Sequence, residues 1–421
     1  MHKKTTLKNG LRIITAPVKG TKTVTVLVLV GTGSKYETKD INGLSHFLEH
    51  MFFKGTKKRP TTRKLIEPLD KIGGQYNAFT SQEYTGYYAK VGAEHLDLAL
   101  DWISDIYLNS KLEQKEINRE KGTILQELSM ILDEPARYAY SLWINLLYGD
   151  QPAGWQLIGT KDVIKKAEQS QFVKYLKEHY SSRNTIIAVA GQIENSSVIA
   201  KIKKYFKSVN SSVAKDKLPV KEIQSRPQSL IYYKKTDQTH LYLGVRGYDI
   251  FHPDKYVLGL MGVILGGNMS SRLWISIRER QGLAYHVSTG VDTSTDTGFL
   301  ATNVGADNKR VEKVIKTILD EYKKIAQKKV GSGELKKAKD YIKGTTLINM
   351  ESSDAWASFT AHQELLTKKI LTLEQKFAKI EAVTVNDIQR VAKDIFRPEK
   401  LNLALIGPFK DKAKFEKILN I

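Results

Sequence analysis

The chain has 421 residues, 41% of them hydrophobic, and carries a formal net charge of +21. This length exceeds one ordinary core, so two domains of about 200 residues each are expected. Because the sequence contains no cysteine, disulfides, thiolate metal sites and cysteine nucleophiles are excluded, and any metal must be held by nitrogen and oxygen ligands.

The positive charge is scattered along the chain. Basic residues occur in short groups such as 57–59, 165–166 and 328–329, and no basic tract is interleaved with aromatic residues. A lysine-rich solvated surface, or substrates that carry acidic residues, therefore explains the charge more simply than nucleic acid does. The longest strongly apolar run, 24–30, is too short to cross a bilayer, and no secretory signal is visible at residues 1–10. We expect no nucleic-acid partner, no membrane partner and a cytoplasmic location.

The apolar periodicity predicts an alternation of strands and helices. The first half begins with strands at 11–16 and 24–30, the second strand having the valines at 24, 26, 28 and 30 on one face. The elements predicted after the segment 45–51 are a helix at 61–72, a strand at 76–91, helices at 94–107, 112–132, 137–147 and 161–180, and a strand at 184–190.

The segment 45–51, in a run of helix-forming residues, has the pattern of a metal-binding helix. His46 and His50 are four residues apart, so both imidazoles project from one helical face and lie close enough to grip one metal ion. Glu49 lies beside them, within reach of a water on that metal. The alternative is a partly exposed helix whose histidines and glutamate bind nothing.

A third ligand is expected from the predicted helix 112–132, because a catalytic zinc usually takes three protein ligands and leaves one position to water. Glu116, Glu120 and Glu127 lie on or near one face of that helix. Glu120 and Glu127 are two turns apart, so one of them is able to ligate while the other supports a ligand or the base. The alternative is a solvated acidic face with ordinary pairing between neighbouring turns.

The second half of the sequence repeats the order of the first. Residues 172–191 match 388–407 at an offset of 216 residues, each a helix followed by an apolar strand and a glycine, and 85–93 is echoed in 297–306. This predicts two homologous α+β domains, 1–207 and 229–421, joined by a polar linker at 208–228. The counterpart of the histidine segment falls at 258–266, which holds no histidine or glutamate, and Asn349 stands opposite Glu127. The second domain is therefore expected to lack the metal site.

These motifs together resemble the pitrilysin/insulinase family of zinc peptidases, especially its shorter members of the mitochondrial processing peptidase type. The resemblance runs almost end to end, and it is carried by the inverted order His46-x-x-Glu49-His50, by Glu127, and by the segments 52–56, 73–81, 266–273 and 282–285. It implies two domains, each a mainly antiparallel sheet packed with helices. It also implies one Zn²⁺ per chain, held by His46, His50 and Glu127, with Glu49 as general base and Glu120 as supporting residue.

The resemblance further implies how substrate is handled. Asn77, Ala78 and Phe79 would lie on an edge strand to which the substrate adds as a further strand, although an ordinary sheet strand is compatible with the same residues. Arg278 and Tyr285 would face the zinc of a partner chain in a closed chamber, so a homodimer is expected. The alternatives are an exposed ion-pair partner for Arg278 and a core aromatic for Tyr285.

The function expected from the sequence is zinc-dependent endopeptidase activity on short or unstructured polypeptides. The alternative is a non-catalytic assembly or peptide-binding subunit of the same fold. The sequence leaves open the physiological substrate, the cleavage specificity, and the native metal among zinc, manganese and cobalt.

Overall fold

Two β-sheets organise the chain in this computed structural model, which describes residues 2–421. The first compact unit contains the residues up to 128 together with 156–218 and 347–370, and the second contains 129–155, 219–346 and 371–421. Each unit is a sheet covered by helices, which confirms the predicted α+β class.

The strands of both sheets are mostly short and buried. In chain order they are β1 (Lys3–Thr6), β2 (Arg12–Pro17), β3 (Thr23–Val30), β4 (Gln75–Thr80), β5 (Thr85–Gly92), β6 (Thr185–Gly191), β7 (Gln228–Tyr233), β8 (Gln238–Arg246), β9 (Ala284–Thr293), β10 (Gly298–Asp307) and β11 (Leu401–Gly407).

The α-helices follow the same order along the chain, with short 3₁₀ turns and one π-helix between them. They are α1 (Leu44–Met51), α2 (Thr62–Asp70), α3 (Leu96–Asn109), α4 (Gln114–Asp133), α5 (Pro135–Tyr148), α6 (Lys161–Lys166), α7 (Gln169–His179), α8 (Asn195–Tyr205), α9 (Lys255–Gly266), α10 (Val311–Gln327), α11 (Ser332–Asn349), α12 (Ser353–Thr367), α13 (Leu373–Glu381), α14 (Val385–Ile395) and α15 (Ala413–Glu416). Within residues 2–421, no helix is long and apolar enough to cross a membrane.

The five strands of the second sheet repeat the topology of five of the six strands of the first, and β1 is the additional strand. The first has the order β1-β2-β6-β3-β5-β4 and the second has the order β7-β11-β8-β10-β9. In each sheet the first strand of the repeat pairs in parallel with the last strand of the repeat, β2 with β6 and β7 with β11, while the other pairs are antiparallel. Helix α7 and β6 return as α14 and β11 at the predicted offset of 216 residues. Strand β4 forms one edge of the first sheet and β9 forms the corresponding edge of the second.

The units are not the contiguous halves 1–207 and 229–421 expected from the repeat, because two helical segments are exchanged between them. The chain passes from one unit to the other between Leu218 and Pro219, inside the predicted linker 208–228. However, α12 comes from the second half and packs on the first sheet, and α5 comes from the first half and packs on the second. The physical reason is the apolar surface of each sheet: Ala357, Ala361 and Leu365 of α12 cover apolar side chains of β2, β3 and β6.

Two predicted elements are each divided in the structure. The predicted strand 76–91 is a hairpin of β4 and β5, closed by the hydrogen bond from Ser81 N to Tyr84 O. The predicted helix 161–180 ends at Lys166 and restarts as α7, because the side chains of Glu168 and Gln171 form a capping box that favours a new helix N-terminus.

Candidate metal centre

Helix α1 places both histidines beside Glu49. The carboxylate of Glu37 accepts hydrogen bonds from the backbone N–H groups of Gly43, at 2.7 Å, and of Ser45, at 2.6 Å. These bonds satisfy amides that a helix N-terminus leaves without intrahelical partners. Gly43 has a φ of +96°, and a Cβ there would lie 2.4 Å from the carbonyl oxygen of Ile158, so glycine is required at this helix start.

The structure brings His46, His50 and Glu127 together. Nε2 of His46 lies 3.6 Å from one carboxylate oxygen of Glu127, and Nε2 of His50 lies 3.6 Å from the other. One ligand atom from each residue lies within 4.8 Å of the other two, and this is the one such group of three found in residues 2–421. Two atoms bound to one tetrahedral zinc at 2.0–2.2 Å are roughly 3.3 Å apart, so the three side chains fit a zinc ion with small adjustments.

Glu120 supports His50 from behind. Its Oε1 lies 2.9 Å from Nδ1 of His50, and its Oε2 lies 2.5 Å from Nζ of Lys54. Burial raises the pKa of Glu120, but the hydrogen bonds from His50 and Lys54 outweigh burial and hold that pKa below its usual range. A carboxylate at Nδ1 selects the tautomer whose Nε2 is available to a metal. Glu120 is 4% exposed, so the alternative of a solvated acidic face is wrong for this residue.

Glu49 lies on the same helix and is held by a threonine. The hydroxyl of Thr80, the last residue of β4, donates to Oε2 of Glu49 at 2.5 Å. Beneath them, the phenols of Tyr87 and Tyr180 share a hydrogen bond of 2.9 Å, and the nearby Glu49 charge adds to burial in raising the pKa of both phenols. The base candidate therefore has a fixed partner on one of its two oxygens.

The predicted substrate residues lie on the edge strand β4. Its one strand neighbour is β5, so its other side offers backbone groups that no strand pairs. The backbone N–H of Ala78 donates to the side-chain oxygen of Asn77 at 2.9 Å. Phe79 packs on the rings of Tyr84 and His362. The geometry suits strand addition, and the assignment of these residues to substrate stays a prediction.

Arg278 and Tyr285 lie together in the second unit. The guanidinium of Arg278, on the π-helix Trp274–Arg280, lies 4.4 Å from the ring centroids of both Trp274 and Tyr285, and it donates to the Tyr285 carbonyl at 3.0 Å. Tyr285 is 77% exposed, so the alternative of a core aromatic is wrong. The half-buried guanidinium and the exposed phenol form one pair, and their catalytic role stays a prediction.

Sequence reasoning did not assign Glu37, Lys54 or Thr80 to the site. Lys54 follows His50 by four residues, a spacing that is visible in the sequence, and Thr80 follows directly after the predicted substrate residues 77–79. Glu37 carries no such signal, because its role depends on a turn that returns it to the start of α1.

The second unit has the scaffold of the first without the ligands. Strand β9 corresponds to β4, and α9 packs on it as α1 packs on β4. Helix α9 includes the whole of the segment 258–266, which consists of glycines and residues with apolar side chains. The one candidate ligand group found in residues 2–421 lies in the first unit, and the absence of a metal from the second unit stays a prediction.

Comparisons with known proteins agree with this arrangement. Residues 12–161 match the family model described as insulinase (peptidase family M16), and residues 166–342 match the one described as peptidase M16 inactive domain. The chain is 35% identical to the uncharacterized zinc protease YmxG of Bacillus subtilis (strain 168), over 97% of this chain and 98% of that protein.

Solved structures show the same similarity. The crystal structure of a protease from Helicobacter pylori has a TM-score of 0.91 at 25% identity, and the match covers 97% of this chain and 99% of that one. A chain of Complex III2 from Candida albicans has a TM-score of 0.87 at 20% identity over 100% of both chains, which shows the fold alone. From the motifs, the fold and these matches together, this chain belongs to the insulinase family of peptidases, peptidase family M16.

Proposed function

We propose that this chain is a zinc-dependent endopeptidase that cleaves short or unstructured polypeptides. The observation that carries the proposal is the convergence of two imidazoles and one carboxylate within 4.8 Å, with Glu49 next to His50 on the same helix. Two histidines and a glutamate are a ligand set of catalytic zinc, and this set leaves a position for water. The names of the curated relatives support the same activity.

The residues of α1 and α4 divide the chemistry between them. His46, His50 and Glu127 would hold the zinc ion, and a bound zinc ion would supply the Lewis acidity that polarises a scissile carbonyl and lowers the pKa of a water molecule. Glu49 takes the proton of the attacking water and returns it to the leaving amine. Glu120 keeps Nε2 of His50 directed at Glu127 by holding Nδ1 at the other side of the ring.

Strand β4 receives the polypeptide in this proposal. An extended substrate adds to its free edge, where main-chain hydrogen bonds give affinity with little demand on side-chain identity. The side-chain oxygen of Asn77 occupies the N–H of Ala78 in the free chain, so substrate replaces that contact. Because β4 ends at Thr80, a peptide on this edge runs toward Glu49.

The active assembly in this proposal is a homodimer with one zinc per chain. Arg278 and Tyr285 of each chain face the zinc site of the other in a closed chamber, where a guanidinium and a phenol stabilise the oxyanion that forms at the scissile carbonyl. The exposure of Tyr285 and its contact with Arg278 support the availability of this pair.

Glu49→Gln is the variant that tests the proposed activity. We expect it to retain zinc, because Glu49 is not among the three converging ligands, and to lose at least about 100-fold in turnover because the base is gone. His50→Ala should lose both zinc and turnover. Glu116→Gln, on α4 and paired with the exposed Arg119, is the matched control and should behave as wild type. The measurements are metal analysis of the purified proteins and digestion of a library of unstructured peptides.

The results separate this function from its alternative. Wild-type turnover in Glu49→Gln would show that Glu49 is not the general base. Wild-type protein that holds zinc and cleaves no peptide in the library indicates a non-catalytic subunit. The same metal analysis identifies the native metal among zinc, manganese and cobalt.

A further inference from the structure

The hydrogen bond between Thr80 and Glu49 joins two different elements of the site. Glu49 lies on α1 and Thr80 ends β4, and their side chains meet at 2.5 Å although 30 residues separate them in the chain. In the described residues, Thr80 is the one side chain with a hydrogen bond to the Glu49 carboxylate. A hydroxyl that donates to a carboxylate makes a charge-assisted bond, which is short and strong.

Thr80 is held rigidly by the hairpin that follows it. Its backbone pairs with Thr85 in the sheet, and the next residue, Ser81, donates its N–H to Tyr84 O at 2.8 Å. The hairpin turn is tied in addition to the segment that leads into α1, through the bond from Lys35 N to Gln82 O at 2.9 Å. Since a β-branched side chain has few χ1 rotamers, the hydroxyl of Thr80 has a nearly fixed direction.

The bond constrains which oxygen of Glu49 is available for proton transfer. Thr80 occupies Oε2, so Oε1 is left for the water proton, and rotation of the carboxylate about its last bond would break the contact. Without a donor at Oε2, the carboxylate samples several orientations. Only some of these orientations place Oε1 within reach of the water. Proton transfer needs hydrogen-bond reach between the base and the proton, so this orientation enters the rate directly.

We propose that Thr80 is a positioning residue for Glu49, and that through it the strand that receives the substrate also sets the orientation of the general base. The inference rests on the proposed function and adds to it a coupling between substrate strand and base. Because Thr80 contacts none of the three converging ligand residues through a hydrogen bond, its effect is on the proton-transfer step and not on metal binding.

The test compares Thr80→Val, which keeps the shape and removes the hydroxyl, with Thr80→Ser, which keeps the hydroxyl. We expect Thr80→Val to lower kcat by about 10- to 100-fold while KM changes by less than about 2-fold and the zinc content stays the same. Thr80→Ser should restore most of kcat. Thr80→Ala serves as a second hydroxyl-free variant if valine prevents folding.

A matched control removes a buried hydroxyl elsewhere in the same unit. Thr25 on β3 bonds Ser353 at 2.8 Å, and Ser353 keeps a second partner in Thr23 at 3.1 Å. Thr25→Val should therefore retain wild-type kcat. A general loss of sheet integrity would lower activity in both threonine variants, whereas positioning of the base lowers it in the Thr80 variants alone.

Crystal structures of wild type and Thr80→Val give a readout besides activity. We expect the Glu49 carboxylate to be rotated or spread over several orientations in the variant. A kcat of Thr80→Val within 2-fold of wild type, or an unchanged Glu49 carboxylate, overturns the inference. If wild type cleaves no peptide, the proposed function fails, and the carboxylate orientation in the two crystal structures still decides whether Thr80 positions Glu49.

Discussion

At the scale of single residues, the chemistry depends on a small number of side chains whose partners are fixed by hydrogen bonds. Glu120 holds His50 and is itself held by Lys54, so the ligand, its carboxylate and a cation form one chain of contacts. The sequence spacing indicated His46, His50 and Glu49, because a helix alone brings residues four apart onto one face. The contacts that Thr80 and Glu37 make with α1 do not follow from spacing, because both residues reach α1 from other parts of the chain, although Thr80 does adjoin the predicted substrate residues 77–79.

The buried side chain of His179 should make the folded protein less stable in acid. His179 is 1% exposed, and the centroid of its ring lies 4.4 Å from the centroid of the Tyr175 ring. Burial lowers the pKa of His179 from 6.5 to about 4. Between these values the unfolded chain binds a proton that the folded chain does not, so the free energy of unfolding falls as pH falls from 6.5 to 4. The free energy of unfolding of wild type should fall as the pH is lowered from 6.5 to 4. In His179→Phe, which keeps an aromatic ring, we expect this fall to be smaller by about 1–3 kcal/mol.

Urea unfolding at several pH values measures this difference. Thr25→Val is the control, since this buried substitution removes no titrating group, and its pH dependence should match that of wild type. Parallel curves for His179→Phe and wild type between pH 6.5 and 4 would contradict the expectation. All other titrating groups are shared by the proteins compared, so the difference isolates His179.

At the scale of elements, α1 is a short helix whose start is fixed by a buried carboxylate. The Glu37 carboxylate accepts hydrogen bonds from the backbone N–H groups of Gly43 and Ser45 and from the side-chain amide of Asn42. The Ser45 hydroxyl shares a hydrogen bond of 2.7 Å with the Tyr175 hydroxyl. Because His46 follows Ser45 directly, these contacts fix where the first ligand leaves the turn. A helix of eight residues has little stability of its own, so its position depends on such contacts and on packing.

Glu37→Gln should destabilise the protein and weaken zinc binding. The substituted amide has one acceptor oxygen and places an NH₂ group against a backbone N–H, so one buried amide loses its partner. We expect a loss of about 1–3 kcal/mol in the free energy of unfolding and a several-fold weaker affinity for zinc. Urea denaturation and zinc titration against a competing chelator measure the two effects.

Glu67→Gln is the control for this substitution. Glu67 lies at the surface of α2 and pairs with Lys71, and a surface pair of this kind contributes little to stability. Zinc affinity and stability of Glu37→Gln equal to those of Glu67→Gln would show that the carboxylate does not fix α1.

Most elements were predictable from apolar periodicity, and the misplaced boundaries have local causes. The valines of β3 were predicted to share one face, and in the structure the side chains of both faces are buried from Val24 to Val30, because α12 covers the face that carries Leu27 and Leu29. The break between α6 and α7 follows from the capping box of Glu168 and Gln171. Apolar periodicity over many residues predicts one helix here, because an interruption of only two residues, 167–168, changes that periodicity little.

At the scale of the whole molecule, the two units carry different candidate site residues. The ligands lie in the first unit, and Arg278 and Tyr285 lie in the second. In the proposed homodimer, each zinc site is completed by the partner chain.

Mixing two inactive variants tests this sharing. In a heterodimer of Glu49→Gln and Arg278→Ala, one shared site has both wild-type residues and the other has neither. If subunits exchange freely in an equal mixture, half of the dimers are mixed, and the mixture should regain about a quarter of wild-type turnover. Peptide cleavage before and after mixing measures the recovery, and each variant mixed with itself is the control. No recovery in a mixture shown to contain heterodimers would indicate sites made within one chain.

The amino-acid sequence by itself determined the elements, the repeat and the placement of His46, Glu49 and His50 on one helix, because these follow from local period and from residue types at short spacing. The tertiary structure decided which carboxylate of α4 faces the histidines: Glu127 reaches both Nε2 atoms, while Glu120 lies at Nδ1 of His50. It also decided that α5 and α12 are exchanged between the units and that Thr80 holds Glu49. These outcomes depend on contacts between apolar faces and polar groups that are far apart in the sequence, and no local sequence pattern specifies such long-range contacts.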